Sequence, residues 1–140
     1  MPISHHIDRD QRLVIATPNG VKTDADSFGY EQDVWPRPEN SGYDEIFDLT
    51  DVTEIEFVSV DRVSEFADMA SSMDSPGSRS RFAIVATTPL HFGLARMYQG
   101  HREMTKPGNK IVHVFSSRAE ALEWLGIGNP ASNAGVKKTG

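Results

Sequence analysis

Apolar and polar residues alternate along the chain in blocks that predict strands interleaved with helices. The strand candidates are short runs rich in β-branched and aromatic residues, at His5–Ile7, Arg12–Ala16, Tyr43–Leu49, Arg81–Thr87 and Lys110–Phe115. Helical spacing and helix-start signals predict helices from Thr23 to about Val34, from Val60 to Ala70, from Pro89 to Thr105 and from Ser117 to Leu125. This alternation is typical of an α/β domain with a mostly parallel sheet of about five strands, an N-terminal antiparallel hairpin and about four helices.

Local signals set the boundaries between these elements. Thr88-Pro89 pairs a cap residue with a proline at the first helical position, and Ser117-Arg118-Ala119-Glu120 has the form of a capping box. Pro18-Asn19-Gly20 predicts a turn. The stretch 50–58 is interpreted as the exit from the third strand and a descent toward the next helix, without a strand of its own.

Length and composition bound the class of protein. The 140 residues leave room for one domain, which we expect at 1–126 with a flexible tail at 127–140. The chain has no cysteine, which excludes disulfides and thiolate metal sites. It has no apolar run near the roughly 20 residues of a membrane span and no signal-peptide core at its start. We therefore expect a soluble, cytoplasmic protein of bacterial type.

Charge is unevenly distributed along the chain. Between Asp24 and Asp68 there are fourteen acidic residues and two basic ones. The whole chain carries a formal charge of −6, so the remainder is basic. Because the molecule as a whole repels phosphate and its basic residues are not interleaved with aromatic ones, nucleic acid is excluded as a partner.

Three strings carry a resemblance to a known family. They are Ile46–Thr53, then Phe82–Ala86 leading into Phe92–Gln99, then Val114–Phe115 followed by Glu120–Leu125. In this order and spacing, from about His5 to Gly126, the chain resembles the SpoIIAA-like, or STAS-like, proteins. The nearest branch is the bacterial one that has been compared structurally with CRAL-TRIO lipid-binding domains. The resemblance implies the STAS fold, shared by anti-sigma-factor antagonists and transporter tail domains.

The chain departs from that family at its phosphorylation switch. Antagonists of the family carry Asp-Ser-Ser-Gly at a helix start, and the first serine receives phosphate. Here Glu56 takes the place of the aspartate, Phe57 that of the phosphorylated serine and Ser59 that of the glycine. Phe57 cannot accept phosphate, so the resemblance implies a module without the usual phosphorylatable serine. Ser59 is left as either a displaced acceptor or a plain helix cap.

The helix from Pro89 to Thr105 holds the side chains most suited to binding. Its predicted inward stripe comprises Leu90, Leu94, Met97, Tyr98, His101 and Met104. Arg96, Gln99 and Arg102 are then predicted to project away from that stripe. Glycine inside a helix costs about 1 kcal/mol relative to alanine, so Gly93 favours close approach of a neighbouring helix, a second subunit or a ligand. The predicted contact residues are His91, Phe92, Gly93, Arg96, Tyr98 and Arg102.

No motif in the sequence predicts catalysis, a metal or a cofactor. There is no Gly-x-Ser-x-Gly elbow, and the five histidines have no ligand spacing such as His-Glu-x-x-His. We predict a non-enzymatic regulatory or protein-interaction module that binds a protein partner or a second copy of itself through the Pro89–Thr105 helix. The alternative is a small carrier, in which this helix and the one from Val60 part to admit a lipid-like or anionic ligand, with Arg96 and Tyr98 as polar contacts.

Overall fold

The structure, a computed structural model, describes residues 3–34, 42–56, 60–72, 80–104 and 110–127. Its strands are β1 (His5–Asp8), β2 (Leu13–Ala16), β3 (Gly20–Lys22), β4 (Asp44–Asp48), β5 (Val52–Ile55), β6 (Ser80–Val85) and β7 (Lys110–Phe115). Its helices are α1 (Asp24–Val34), α2 (Val60–Ser72), α3 (Pro89–Met104) and α4 (Arg118–Leu125). Of the predicted tail, Ile127 packs against the core beside α4, and 128–140 lie outside the described residues.

Five strands form the main sheet in the order β1-β2-β4-β6-β7. β1 and β2 form an antiparallel hairpin, and the other neighbours are parallel, with Ile46 of β4 opposite Ala83 of β6. The predicted mostly parallel five-stranded sheet, its N-terminal hairpin and the four helices are thereby confirmed. The continuous apolar runs of β2 and β6 suit strands that are covered on both faces.

Two short strands were missed in the sequence. β3 and β5 pair in parallel as a separate two-stranded sheet, with Lys22 opposite Ile55. Two predictions are therefore wrong: that the turn at 18–20 leads directly into the helix that begins near Thr23, and that the segment 50–58 contains no strand. Each strand is three or four residues long and pairs with a segment about thirty positions away, so local pattern carries no signal for it. Val52 is buried in the core on the α2 and α3 side.

The two faces of the sheet are covered by different helices. Side chains alternate along β6, so that Phe82 and Ile84 face α2 and α3 while Ala83 and Val85 face α4. α1 packs through Tyr30 onto the same face as α2 and α3, nearer the hairpin. The α4 face is completed by Leu13, Ile15, Ile46, Ala121, Leu122 and Leu125.

Helix ends follow the predicted capping chemistry. The Ser117 hydroxyl accepts from the Glu120 N–H at 3.2 Å, and Gly126 closes α4 in the left-handed region at φ 71°. At α1, the Thr23 N–H donates to Asp26 at 3.0 Å and the Asp26 N–H donates back to the Thr23 hydroxyl at 3.1 Å. Partial burial raises the pKa of Asp26, but the hydrogen bonds to Thr23 help to outweigh it and hold the pKa below its usual value.

The inward face of α3 differs from the prediction. Its buried residues are His91, Ala95, Tyr98 and Arg102. Leu90 is 68% and Met104 81% exposed, so the buried face of α3 is rotated by roughly a quarter turn from the centre of the predicted apolar stripe. The buried ring of Tyr98 packs against Phe66 of α2 and Phe82 of β6, at centroid distances of 5.5 and 6.0 Å. This aromatic packing sets the rotation of the helix.

Candidate functional site

An apolar cavity of about 110 Å³ lies between the sheet and the helices α2 and α3. α3 contributes Leu94, Ala95 and Tyr98 to its wall, and α2 contributes Val63 and Phe66. The sheet side is formed mainly by Phe47, Phe82 and Ile84. The cavity occupies the position predicted for the carrier alternative, between the helices that begin near Val60 and Pro89.

Two cationic side chains complete the lining. Lys22 of β3 donates from Nζ to the Ser27 hydroxyl at 2.6 Å, and both residues line the cavity. Arg62 of α2 also lines it and forms an ion pair with Glu65 at 2.7 Å. The Arg62 side chain is 38% exposed, so the cationic part of the wall reaches solvent. Among the described lining residues there is no acidic side chain.

Sequence reasoning did not identify Lys22, Ser27 or Arg62. Lys22 belongs to a strand that was interpreted as part of a turn, and its position depends on pairing with β5. The charge of Arg62 favours the solvent side of α2 when the sequence is considered alone, but the structure places Arg62 beside Val63 in the cavity lining. In the sequence, Lys22 is one basic residue next to an acidic segment, which is only a weak sign of an anion-binding site. Its position in the cavity wall could be inferred only after β3 was known to pair with β5.

The six predicted contact residues do not form one site. Tyr98 lines the cavity, and its hydroxyl accepts from the Arg102 guanidinium at 3.1 Å. Arg102 is 5% exposed, so the prediction that it projects outward is wrong. Gly93 and Arg96 are exposed on the outer side of α3. Arg96 is absent from the described lining, so the structure does not place it where the carrier alternative required it.

The other two predicted contact residues lie near the start of α3. Phe92 is half-buried against the core and borders a shallow surface depression with Phe115 and Trp124. His91 is 4% exposed, and within the described part of the chain its Nδ1 has no hydrogen-bond partner. A catalytic histidine would be hydrogen-bonded to an orienting group, and no described carboxylate fills that role at Nδ1.

Buried carboxylates in the sheet have structural partners. Asp48, at the end of β4, accepts from the Thr50 N–H at 2.9 Å and from Arg118 Nε at 2.9 Å. Both carboxyl oxygens of Asp48 are thus used within the fold. Paired and hydrogen-bonded in this way, the carboxylate ties the C-terminal end of β4 to the start of α4.

The switch positions fall at the edge of the described residues. Glu56 is exposed after β5, and its N–H donates to the Lys22 carbonyl at 2.8 Å. Phe57 and Ser59 lie outside the described residues. Within the described residues, no group of three or more His, Cys, Asp or Glu side chains is arranged to hold a metal ion, and no helix is long and apolar enough to cross a membrane.

The strand order, the antiparallel edge hairpin and the helices on both faces define an α/β domain with the SpoIIAA-like fold. An uncharacterised protein of the DUF3478 family from Shewanella loihica PV-4, described as having a SpoIIAA-like fold, is 16% identical over 89% of this chain and 94% of its own, with a TM-score of 0.53. The protein TM1081, solved by NMR, is 20% identical over 86% of each chain, also with a TM-score of 0.53. At these identities the likeness shows the fold. No family model matches the chain, and no curated protein matches it.

Proposed function

We propose that the chain is a non-enzymatic protein-interaction module, and that a second copy of the chain binds the outer face of α3. The observation that carries this proposal is an outward apolar stripe on that helix. The α3 stripe, as we define it, consists of the exposed Leu90 and Met104 with the partly exposed Met97 and His101 between them. Leu90 and Met104 are 68% and 81% exposed, and large apolar side chains exposed along one helix face are typical of contact surfaces.

The spacing of the α3 stripe suits a two-fold contact. Leu90 and Met104 each lie seven residues from Met97, and His101 lies four residues from it. When two such helices pack antiparallel about Met97, Leu90 of one copy meets Met104 of the other. A two-fold interface requires this self-complementarity, because the same patch serves both subunits.

Glycines beside the stripe allow close packing. A Cβ built at Gly93 or Gly100 meets nothing described within 4 Å. The helix-propensity cost of each glycine, about 1 kcal/mol, is therefore not offset by close packing within the described chain. It is offset in the assembly if a partner helix approaches at these positions. With phenylalanine at the switch position, regulation would act through association rather than phosphorylation of that residue.

Sedimentation velocity over a concentration series tests the proposal. We expect the wild type to form a dimer by about 100 μM, where a contact of roughly −5.5 kcal/mol is half formed. Leu90→Asp and Met104→Asp should each return the protein to a monomer with an unchanged far-UV circular dichroism spectrum. Ile111→Asp is the matched control, because Ile111 is 56% exposed and, by alternation along β7, lies on the opposite face of the sheet from Val112 and α3. A monomeric wild type, or dimer loss with Ile111→Asp alone, contradicts the proposal.

The cavity supports a second candidate function, that of a small carrier. An apolar pocket with a few polar or charged groups at its edge is a common form of small-molecule site, and at about 110 Å³ this one has room for a small ligand. Native mass spectrometry of the protein purified from its own host tests this function. We expect a population heavier than the polypeptide by the mass of one small molecule. The polypeptide mass alone, together with no binding of added small molecules, contradicts it.

A further inference from the structure

We propose that the cavity binds a short amphipathic carboxylate, with its apolar tail inside and its anionic group at Lys22 and Arg62. This inference rests on the carrier function and specifies the class of molecule carried. It follows from three features of the site: the size of the cavity, the chemistry of its wall and the position of its charges.

The size of the cavity limits the tail. A cavity of about 150 Å³ with an aliphatic and aromatic lining is large enough for benzene, and the present cavity measures about 110 Å³. A tail of about four to six carbons fits such a space. The acyl chain of a membrane lipid is several times longer and cannot be enclosed here.

The wall favours an apolar tail over a polar one. Phe47, Phe66 and Phe82 present ring surfaces to the cavity, and Ile84 and Leu94 add aliphatic surface. Ala95 lies in the same wall, and its small side chain leaves the space that a larger residue would fill. Each methylene moved from water into such a space contributes about 0.8 kcal/mol, which is about fourfold in affinity.

The charges of the lining favour an anionic head group. Among the described lining residues, Lys22 and Arg62 carry charge, and the Ser27 hydroxyl is one of the partners of the Lys22 ammonium. The guanidinium of Arg62 has five N–H donors, so its ion pair with Glu65 is compatible with a second anionic partner. A carboxylate forms charge-assisted hydrogen bonds with both cation types. The affinity for the carboxylate therefore depends on these two groups.

Isothermal titration calorimetry with straight-chain carboxylates tests the proposal. From butanoate to hexanoate we expect affinity to rise about fourfold per methylene, and from octanoate to decanoate we expect no further rise. Hexanol should bind at least about tenfold more weakly than hexanoate, a difference of about 1.4 kcal/mol. Benzoate, with a compact apolar ring, should bind as hexanoate does.

Two variants test the head-group site and the apolar cavity separately. Lys22→Gln should weaken hexanoate at least about tenfold and leave hexanol unchanged, whereas Ala95→Leu should weaken both by filling the cavity. Arg96→Gln is the matched control, because Arg96 is an exposed cation of α3 outside the described lining. It should leave both affinities unchanged. If Ala95→Leu does not fold, Lys22→Gln still tests the site, because that substitution leaves the apolar wall intact.

The outcomes separate this inference from the carrier function. If no carboxylate and no alcohol binds, and no small molecule is carried from the host, both fail. If hexanol binds as tightly as hexanoate, or Lys22→Gln has no effect, the carrier function stands and the anionic head group is wrong. If affinity continues to rise through decanoate, the limit on tail length is wrong. Loss of hexanoate binding in Arg96→Gln would move the head-group site away from Lys22 and overturn the proposal.

Discussion

Removal of Lys110 should destabilise the fold through the buried Glu45. Glu45 of β4 is 1% exposed, and its carboxylate accepts from the Tyr30 hydroxyl at 2.7 Å. Lys110, at the start of β7, supplies the opposing charge at 3.4 Å, with a side chain that is 10% exposed. In Lys110→Met the carboxylate keeps its hydrogen bond with Tyr30 and loses that ion pair.

The expected cost follows from the burial of this pair. Removal of one partner of a buried ion pair typically costs about 3 to 5 kcal/mol, and the 3.4 Å separation places Lys110→Met at the lower end, about 3 kcal/mol. A domain is stable by about 5 to 15 kcal/mol, so the variant should still fold. The double variant Glu45→Gln with Lys110→Met should recover most of the loss, because a neutral amide can still accept from Tyr30 and leaves no buried charge.

Urea unfolding followed by tryptophan fluorescence measures these differences. With a urea slope of about 1 to 3 kcal/mol per molar, Lys110→Met should lower the midpoint by about 1 to 3 M at an unchanged slope. Arg96→Met is the control, an exposed cation whose replacement should change stability by less than about 0.5 kcal/mol. The reasoning is refuted if Lys110→Met costs less than about 1 kcal/mol, or if the double variant is as unstable as Lys110→Met alone.

Three further changes test the helices. Gly93→Ala should stabilise the monomer by up to about 1 kcal/mol, because nothing described lies within 4 Å of its Cβ; a loss of stability in dilute protein would show an unrecognised contact. Gly126→Ala should cost about 1 kcal/mol in thermal unfolding, because its φ is 71°, and an unchanged midpoint would contradict that strain. The pKa of Asp26 in the folded protein is lowered, so its ionised form stabilises the fold at pH values above the ordinary pKa of 3.8. This contribution is lost as the pH falls through the folded-state pKa. Asp26→Asn should therefore lower the urea midpoint at pH 7, and the difference from the wild type should shrink in acid; a difference independent of pH would argue against the role of this carboxylate.

The main elements of the fold were predictable because their signals are local. The apolar run at Phe82–Ala86 could be recognised as a doubly covered strand, and the capping residues at Thr88 and Ser117 placed the starts of α3 and α4. β3 and β5 were not predictable in the same way. Their pairing brings together Lys22 and Ile55, which are far apart in the chain, and no periodicity within three or four residues reports such a contact.

The candidate site was predicted only in part. The carrier alternative predicted a space between α2, α3 and the sheet, and Tyr98 lines the cavity found there; a role of Tyr98 in binding stays a prediction. The charged groups of the cavity were missed, since Lys22 depends on β3. The inner face of α3 was also predicted wrongly. Two sets of residues at helical spacing are candidates for that face, and the set with Leu90 and Met104 is more hydrophobic than the set with His91 and Arg102, which is the one that is buried.

The sequence by itself determined the alternation of strands and helices, the ends of the capped helices and the parallel character of the sheet, because period, capping and β-branched runs act over a few residues. Only the tertiary structure decided which side of α3 is buried. The ring of Tyr98 packs between Phe66 and Phe82 and accepts a hydrogen bond from Arg102, and these contacts with distant elements outweigh the apolar stripe. The same rotation leaves Leu90 and Met104 outside and directs Leu94, Ala95 and Tyr98 toward the cavity.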